Sequence, residues 1–246
     1  GSKSGFDSME EAFGDQVGHI YAYETGLSSD PPMNWQLSAL DDYTLLSSSD
    51  AHSLPNIARE ATVLDLGEPS YQEIYDAVKY KDQEKIKYTI EFYPEEGMYH
   101  YDGHRACGVS LTPEETRKAR GVCPVCKRPL TVGVMNRVDE LADRPLGFRP
   151  ANAYGYRSLV ELDKIIAESL GIKSRKSKQV QRVYEQMLKD LGSELHILLD
   201  LSPEELQAAD LDDRIREALR RVKAGELAVR PGFDGQYGEV KIFTEE

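Results

Sequence analysis

The chain has 246 residues, of which 40% are hydrophobic and 30% charged, with a net charge of −13 and three cysteines. No stretch approaches the ~20 consecutive apolar residues of a membrane helix, and the N-terminus has no charged-then-apolar leader, so we expect a cytoplasmic protein without a membrane partner. Three cysteines cannot all pair, and Cys123 and Cys126 stand as Cys-Pro-Val-Cys, which indicates a reducing compartment and a metal.

The charge is unevenly distributed, which bears on the class of partner. Residues 1–100 hold 19 acidic and six basic side chains and so carry the whole net charge of −13. Residues 101–189 hold 17 basic and 10 acidic side chains, whereas residues 190–246 hold seven basic and 14 acidic ones. The basic middle block leaves two interpretations open: a solvated surface, or a patch that binds nucleic acid.

The first block has the pattern of a parallel α/β unit. Residues 20–25 and 43–46 have the composition of strands, and a short helix is expected over 34–40, after a stop at Pro31-Pro32. Strand, short helix, strand is a βα repeat.

Polar side chains follow both strands of this unit. Glu24 lies at the end of the first strand, and Asp50 and His52 follow the second. Ligands and metals gather beyond the carboxyl ends of such strands. A carboxylate and an imidazole two residues apart can share a metal, so Asp50 and His52 are candidate ligands. The alternative of a helix cap at Asp50 beside an incidental histidine stays open, because Asp-x-His is common.

A helix is expected over 70–79, with Tyr71, Ile74 and Val78 on one stripe, and residues 87–93 alternate like a strand. That strand opens a small cysteine-bearing segment. Within it, Thr112 and Glu115 form a capping box at the start of a short helix, with Pro113 in the first turn.

The strongest pattern in the sequence is a set of four metal ligands. His104 and Cys107 form one pair, Cys123 and Cys126 form another, and each pair has two intervening residues. This is the layout of a zinc ribbon, in which two tight turns supply four nitrogen and sulfur ligands, so we expect a structural zinc. His100 and Asp102 are weaker candidates for the fourth ligand.

Basic residues cluster around these ligands and again after Gly171. Such clusters can follow a phosphate backbone, and a helix N-terminus adds free amide groups, although a cluster like the second is more often a solvated helix surface. The candidate DNA-binding residues are Arg105, Lys127, Arg128, Arg137, Lys173, Arg175, Lys176 and Lys178.

From residue 158 the pattern is mainly helical. A capping box of Ser158 and Glu161 predicts a helix that ends at Gly171. Further helices are expected over 177–191, from 202, and over 213–224. A hairpin is expected at the end, with Asp234-Gly235 turning 228–233 back on 237–243.

Several ordered segments together resemble one known family. They are Gly1-Ser-Lys-Ser-Gly-Phe-Asp-Ser8, Glu24-Thr-Gly-Leu-Ser-Ser-Asp-Pro31, Asn34-Trp-Gln-Leu-Ser-Ala-Leu40, Ser49-Asp-Ala-His-Ser53, Arg59-Glu-Ala-Thr62, Tyr99-His-Tyr-Asp-Gly-His-Arg105, Cys123-Pro-Val-Cys126 and Arg137-Val-Asp-Glu-Leu-Ala-Asp-Arg144. Nearly the whole chain is covered, and the set resembles the PHP-domain family that includes endonuclease Q.

The resemblance implies an α/β fold in three parts. These are the C-terminal part of a PHP-type distorted βα barrel over 1–87, a zinc-ribbon module over 88–144, and a mainly helical DNA-binding-type module with a terminal β-hairpin over 145–246. It also implies a metal-dependent DNA repair endonuclease that cuts 5′ of deaminated bases such as uracil and hypoxanthine, and of abasic sites. Partners would be damaged DNA and other repair proteins such as a helicase, in the nucleoid.

Asp50 and His52 match the last metal-binding motif of the PHP domain, whose centre would hold Zn, Mg or Mn. Glu24 matches a strand-end acid that need not touch metal, and is a candidate catalytic or substrate-side group. The family's earlier His-x-His strand and further ligands are missing, so we expect the C-terminal portion of a longer enzyme, inactive alone. Two alternatives remain: a zinc-ribbon DNA-binding module of a helicase-associated protein, and a PHP phosphoesterase of small substrates.

Overall fold

A computed structural model of the chain describes residues 5–244, which form two compact units. The first runs to Ser158 and includes Arg230–Glu239; the second contains Leu159–Val229 and the residues from Val240 onward. Residues 1–4, the start of the motif at 1–8, and residues 245–246 lie outside the described residues. Among residues 5–244, none of the helices is both long enough and apolar enough to cross a lipid bilayer.

The secondary-structure elements are numbered in chain order. The helices are α1 (Met9–Phe13), α2 (Pro31–Asn34), α3 (Tyr71–Lys79), α4 (Pro113–Lys118), α5 (Val134–Leu141), α6 (Leu162–Ser169), α7 (Lys178–Leu191), α8 (Pro203–Ala208) and α9 (Asp213–Ala224). The strands are β1 (Ala22–Glu24), β2 (Thr44–Leu46), β3 (Ala61–Leu64), β4 (Ile86–Glu91), β5 (Asp102–His104), β6 (Val109–Leu111), β7 (Gly155–Ser158), β8 (Ala228–Arg230) and β9 (Glu239–Lys241).

The first two strands form the predicted parallel pair. β1 and β2 pair in parallel, with Ala22 opposite Thr44. The helix between them differs from the prediction, because α2 begins at Pro31 rather than after the two prolines. Asp30 accepts a hydrogen bond from the Met33 N–H at 2.9 Å, and proline suits the first turn of a helix, where its missing N–H costs nothing. Residues 38–40 form only a 3₁₀ turn.

The second sheet has the strand order β3-β4-β7. β3 is antiparallel to β4, with Ala61 opposite Ile90, and β7 runs parallel to β4. Ile86 and Ile90 of β4 are fully buried. The strand predicted at 87–93 is therefore confirmed, but it lies at the centre of this sheet, and the expected boundary at 87/88 falls inside it. The division into three modules stays a prediction.

The predicted helix over 70–79 is confirmed as α3, which begins after the Ser70 cap. Its buried residue is Ala77, whereas Tyr71 is 80% and Ile74 42% exposed. The apolar stripe predicted from the period is therefore largely on the surface.

The cysteine-bearing segment follows the predicted local pattern. β5 and β6 are antiparallel, and His104 stands opposite Val109. α4 begins with the predicted capping box, since the Thr112 side chain bonds the Glu115 N–H and the Glu115 carboxylate bonds the Thr112 N–H.

The second unit is helical. α6 contacts both α7 and α9, and the residues buried between the helices include Ile165, Val180, Ile215 and Leu219. α7 and α9 begin and end where the sequence predicts, and Gly225 ends α9 in the left-handed conformation, with φ of 69°.

One predicted helix start is wrong. Ser158 does not cap α6, because it is the last residue of β7 and pairs with Glu91. The Leu162 N–H at the start of α6 instead donates to Glu194 Oε1 at 2.8 Å.

The terminal hairpin is confirmed, with strands shorter than predicted. β8 and β9 are hydrogen-bonded neighbours. Asp234 and Gly235 form the turn with φ of 45° and 81°, the left-handed values that two-residue hairpin turns require.

Candidate functional site

Four potential metal ligands converge in the first unit. One ligand atom each of His104, Cys107, Cys123 and Cys126 lies within 4.8 Å of all the others, and Cys126 Sγ is 3.7 Å from His104 Nδ1. Cys123 is buried and Cys126 exposed, so the cluster reaches the surface. The convergence that the spacing predicts is confirmed. One imidazole and three thiols suit a borderline-soft metal ion with tetrahedral coordination.

Each ligand pair lies on a tight turn that ends in a left-handed residue. The 3₁₀ turn Arg105–Cys107 follows β5, and Gly108 closes it with φ of 63°. In the second turn the Lys127 N–H donates to the Cys123 carbonyl at 2.9 Å, and Lys127 has φ of 61°. Reversing the chain directly after the second ligand leaves both ligands of a pair on the same side of the turn.

The thiols differ in their affinity for protons. Burial, together with the neighbouring Cys126 and Cys123 thiols, raises the pKa of Cys107 to about 11. Burial acts in the same direction on Cys123, but backbone hydrogen bonds from Cys126 and Val125 hold its pKa below the ordinary value. Three thiols this close cannot all ionise without a nearby positive charge, and a metal ion would supply one.

The tip of the terminal hairpin packs against the first ligand turn. The Asp234 carboxylate accepts hydrogen bonds from the Arg105 N–H and from the Thr131 hydroxyl, both at 2.6 Å. The Tyr101 N–H donates to the Gly232 carbonyl at 2.9 Å. Residues far along the chain thus hold the segment that carries His104 and Cys107.

The two weaker candidates for the fourth ligand have other positions. The buried Asp102 carboxylate accepts from the Gly133 N–H at 2.7 Å and from the Asn136 side chain at 2.6 Å. His100 is also buried, and burial lowers its pKa to about 4, so it is neutral at physiological pH. Neither residue joins the four-ligand cluster.

Asp50 and His52 lie on the exposed segment after β2. His52 Nδ1 lies 2.8 Å from the Asp50 carbonyl oxygen, which can only accept, so Nδ1 carries the proton and Nε2 is left for a metal. The two side chains are 75% and 84% exposed, and Glu24 is exposed at the end of β1. Within residues 5–244, these side chains do not join a third histidine, cysteine or carboxylate at metal-binding distances.

Two buried acids at the same end of the strands were missed by sequence reasoning. Glu60 directly precedes β3, and continuing the β3–β4 register by one residue places it opposite Glu91. Glu91 Oε2 accepts from the Thr25 hydroxyl at 3.3 Å, and Glu60 Oε1 from the Phe92 N–H at 3.4 Å. Among the described residues, Glu60 Oε2 and Glu91 Oε1 are buried without a hydrogen-bond partner.

This pair retains protons at neutral pH. Burial raises the pKa of Glu91 to about 8, and the neighbouring Glu60 adds to the shift. Burial also raises the pKa of Glu60 to about 7, although Arg59 acts against it. Only long-range strand pairing brings the two together, so no local pattern could have identified them.

The basic candidates fall into two groups. The first group is exposed next to the four metal ligands in sequence and consists of Arg105, Lys127 and Arg128. The second group is exposed around the start of α7 and consists of Lys173, Lys176 and Lys178. Arg137 and Arg175 are half-buried and ion-paired. Arg137 binds Asp7 and Glu140, and Arg175 binds Glu161 and Asp163.

Comparison with solved structures identifies the relatives of this fold. A crystal structure of the lesion-specific endonuclease Q from Pyrococcus furiosus matches 98% of this chain with a TM-score of 0.85 and 29% identity. The resemblance to endonuclease Q is confirmed. A second endonuclease Q structure, in complex with a 27-mer duplex substrate with an abasic lesion at the active site, matches 97% of the chain with a TM-score of 0.80 and 30% identity.

The curated relatives of this endonuclease Q-like chain are longer proteins. The uncharacterized protein MJ0043 of Methanocaldococcus jannaschii is 28% identical over 96% of this chain, and the uncharacterized protein YqxK of Bacillus subtilis is 28% identical over 95% of it. Residues 161–226 match the family described as the MJ0043 C-terminal domain. The chain spans 30% and 55% of those two relatives, and 60% and 59% of the endonuclease Q chains.

Proposed function

We propose that this chain is the C-terminal portion of a metal-dependent DNA repair endonuclease of the endonuclease Q type. The observation that carries the proposal is the match of nearly the whole chain, through both units, to a lesion-specific endonuclease. Fold alone does not imply function, but the chain also contains the four-ligand cluster, and the acids Glu24 and Asp50 lie at the end of β1 and after β2.

The four-ligand cluster would hold a structural zinc. One nitrogen and three sulfur ligands complete a tetrahedron and leave no position for a substrate, so this metal stabilises the module rather than reacting. The donor set fits this role because its two turns already direct all four ligands to one point.

Asp50 and His52 would contribute two ligands to the divalent metals of the PHP centre. Zn, Mg or Mn at that centre would activate water for attack on a phosphate and stabilise the charge that develops on its oxygens. The Asp50 carbonyl fixes the His52 tautomer that presents Nε2, and Glu24 would act beside the substrate. Completing the centre needs ligands beyond those of this chain, so we expect the 246 residues alone not to cleave DNA.

The substrates we propose are duplexes with a deaminated base, uracil or hypoxanthine, or an abasic site, cut on the 5′ side of the lesion. The bound abasic duplex of the second relative supports DNA as the partner. The two alternatives, a helicase-associated binding module and a small-molecule phosphoesterase, are not favoured, and the comparisons do not support a helicase partner.

A DNA-binding titration tests whether the exposed basic residues of this chain contact DNA. The chain should bind a uracil-containing duplex, and affinity should fall steeply between about 50 and about 200 mM salt, because binding displaces counterions from the phosphates. Arg128→Glu combined with Lys176→Glu should weaken binding at least ~10-fold and flatten the salt dependence. Lys189→Glu, an exposed site in the last turn of α7, is the matched control. Unchanged affinity in the double variant would remove the basic residues from the proposal.

A further inference from the structure

The segment that carries Asp50 and His52 is closed by an arginine. Arg59 Nε–H donates to the Ser49 carbonyl at 3.0 Å and so joins the two ends of residues 49–59. Asp50 and Ala58, just inside those ends, both have left-handed backbones, with φ of 43° and 61°. Non-glycine residues adopt such angles rarely, and they concentrate at functional sites.

The hydrogen bond of Arg59 uses Nε, which leaves its two Nη atoms available for another ligand. Within residues 5–244, neither Nη atom of Arg59 has a hydrogen bond or a carboxylate within ion-pair distance. Arg137, Arg175 and Arg220, in contrast, each bind two carboxylates. Arg59 is half-buried and held through Nε, so two parallel N–H donors are fixed in direction without an internal partner.

The adjacent acid, Glu60, is not the partner of the Arg59 Nη atoms. Glu60 is buried, and its Oε1 accepts from the Phe92 N–H. The described residues show no ion pair between the Arg59 guanidinium and the Glu60 carboxylate. Its Nε bond places the Arg59 guanidinium beside Ser49, the residue that directly precedes Asp50.

We propose that Arg59 binds a phosphate of the DNA strand at the Asp50–His52 segment. The proposal rests on the function proposed above and adds a substrate-binding residue to the same site. A planar fork of two donors matches two phosphate oxygens, which a lysine cannot match as a point charge. One residue would thereby fix the loop that presents Asp50 and His52 and hold the phosphate next to them.

The salt dependence of DNA binding distinguishes phosphate contact from a purely structural role. We would titrate a fluorescent 27-mer duplex with a central abasic site, the substrate length of the endonuclease Q complex, by anisotropy over about 50 to about 200 mM KCl. Arg59→Gln should weaken binding roughly tenfold and reduce the slope of log Kd against log salt by about 0.9, the value for one lost phosphate contact. Arg59→Lys should keep the slope and lose about threefold in affinity, because charge survives but the fork does not.

Arg220→Gln is the matched control, because Glu217 and Glu226 already hold that guanidinium, and its slope and affinity should equal those of the wild type. A wild-type slope for Arg59→Gln, with or without lost affinity, would overturn the phosphate role. If Arg59→Gln does not fold by circular dichroism, wild-type affinity in Arg59→Lys overturns it instead. A wild-type chain that fails to bind the duplex overturns both this inference and the proposed function.

Discussion

The buried pair of Glu60 and Glu91 makes the stability of the first unit depend on pH. Burial raises the pKa of Glu91 from 4.5 to about 8. A carboxyl group whose pKa is higher in the folded than in the unfolded state stabilises the fold while it is protonated in both states, below about pH 4.5. That stabilisation is lost as the pH rises through about 8. At ~1.4 kcal/mol per pH unit, complete ionisation of Glu91 costs the folded state roughly 5 kcal/mol, of which about 1 kcal/mol is already spent at pH 5.

The test compares the wild type with Glu91→Gln in urea unfolding between pH 5 and pH 9. Trp35, the one tryptophan, lies in the first unit beside Tyr156, with ring centroids 5.7 Å apart, so its fluorescence reports that unit. The two proteins should be similarly stable at pH 5, because a protonated carboxyl group and an amide are nearly isosteric. At pH 9 the variant should be more stable by roughly 3–4 kcal/mol.

Glu185→Gln is the control, because Glu185 is exposed on α7 and removing its charge should not change the pH dependence. Glu60→Gln should shift the curve in the same direction as Glu91→Gln, because Glu60 raises the pKa of Glu91. Parallel stability curves for the wild type and Glu91→Gln from pH 5 to pH 9 would refute this account of the pair.

Three further changes test other parts of the account. Cys123→Ser should release about one zinc per chain, measured with a chromogenic chelator. The segment that carries the four ligands should then unfold, because the folding of a zinc ribbon is coupled to metal binding. Full zinc retention would contradict the assigned ligands. Gly238→Ala should detach the hairpin tip, because a methyl group there overlaps the Glu95 carbonyl oxygen, and zinc should then be lost at lower chelator concentrations than in the control Gly18→Ala, whose position is open. Equal release from the two glycine variants would show that the tip does not support the ligand turn. Ser202→Ala should destabilise the second unit by about 1 kcal/mol in thermal unfolding by removing the α8 capping box, and no change would exclude that contribution.

The parts of the fold that depend on near neighbours in sequence were predictable. The spacing of the ligand pairs predicts the cluster, because each turn is built from consecutive residues, and the caps and apolar period of α7 and α9 predict both helices. Pro31 shows the limit of such rules, since proline fits both a stop and the first turn of a helix. The Asp30 cap makes it the first turn here.

What depends on distant residues could not be predicted. Ser158 has the pattern of a helix cap, yet pairing with β4 places it in a strand. Glu60 meets Glu91 only because of the register of β3 and β4. Asp234 supports the first ligand turn only because a hairpin distant in sequence packs against that turn. The missed acids and the unpartnered fork of Arg59 are therefore findings of the structure.

A strand-cleavage assay tests the central claim most directly. The substrate is an end-labelled duplex with one uracil, and the enzyme is the longest natural protein that contains this sequence, supplied with Mn²⁺. We predict a single cut on the 5′ side of the uracil that disappears in Asp50→Asn and is absent with the 246-residue chain alone. Three results would contradict the account: cleavage that does not depend on the uracil, cleavage by the Asp50→Asn variant, or cleavage by the 246-residue chain alone.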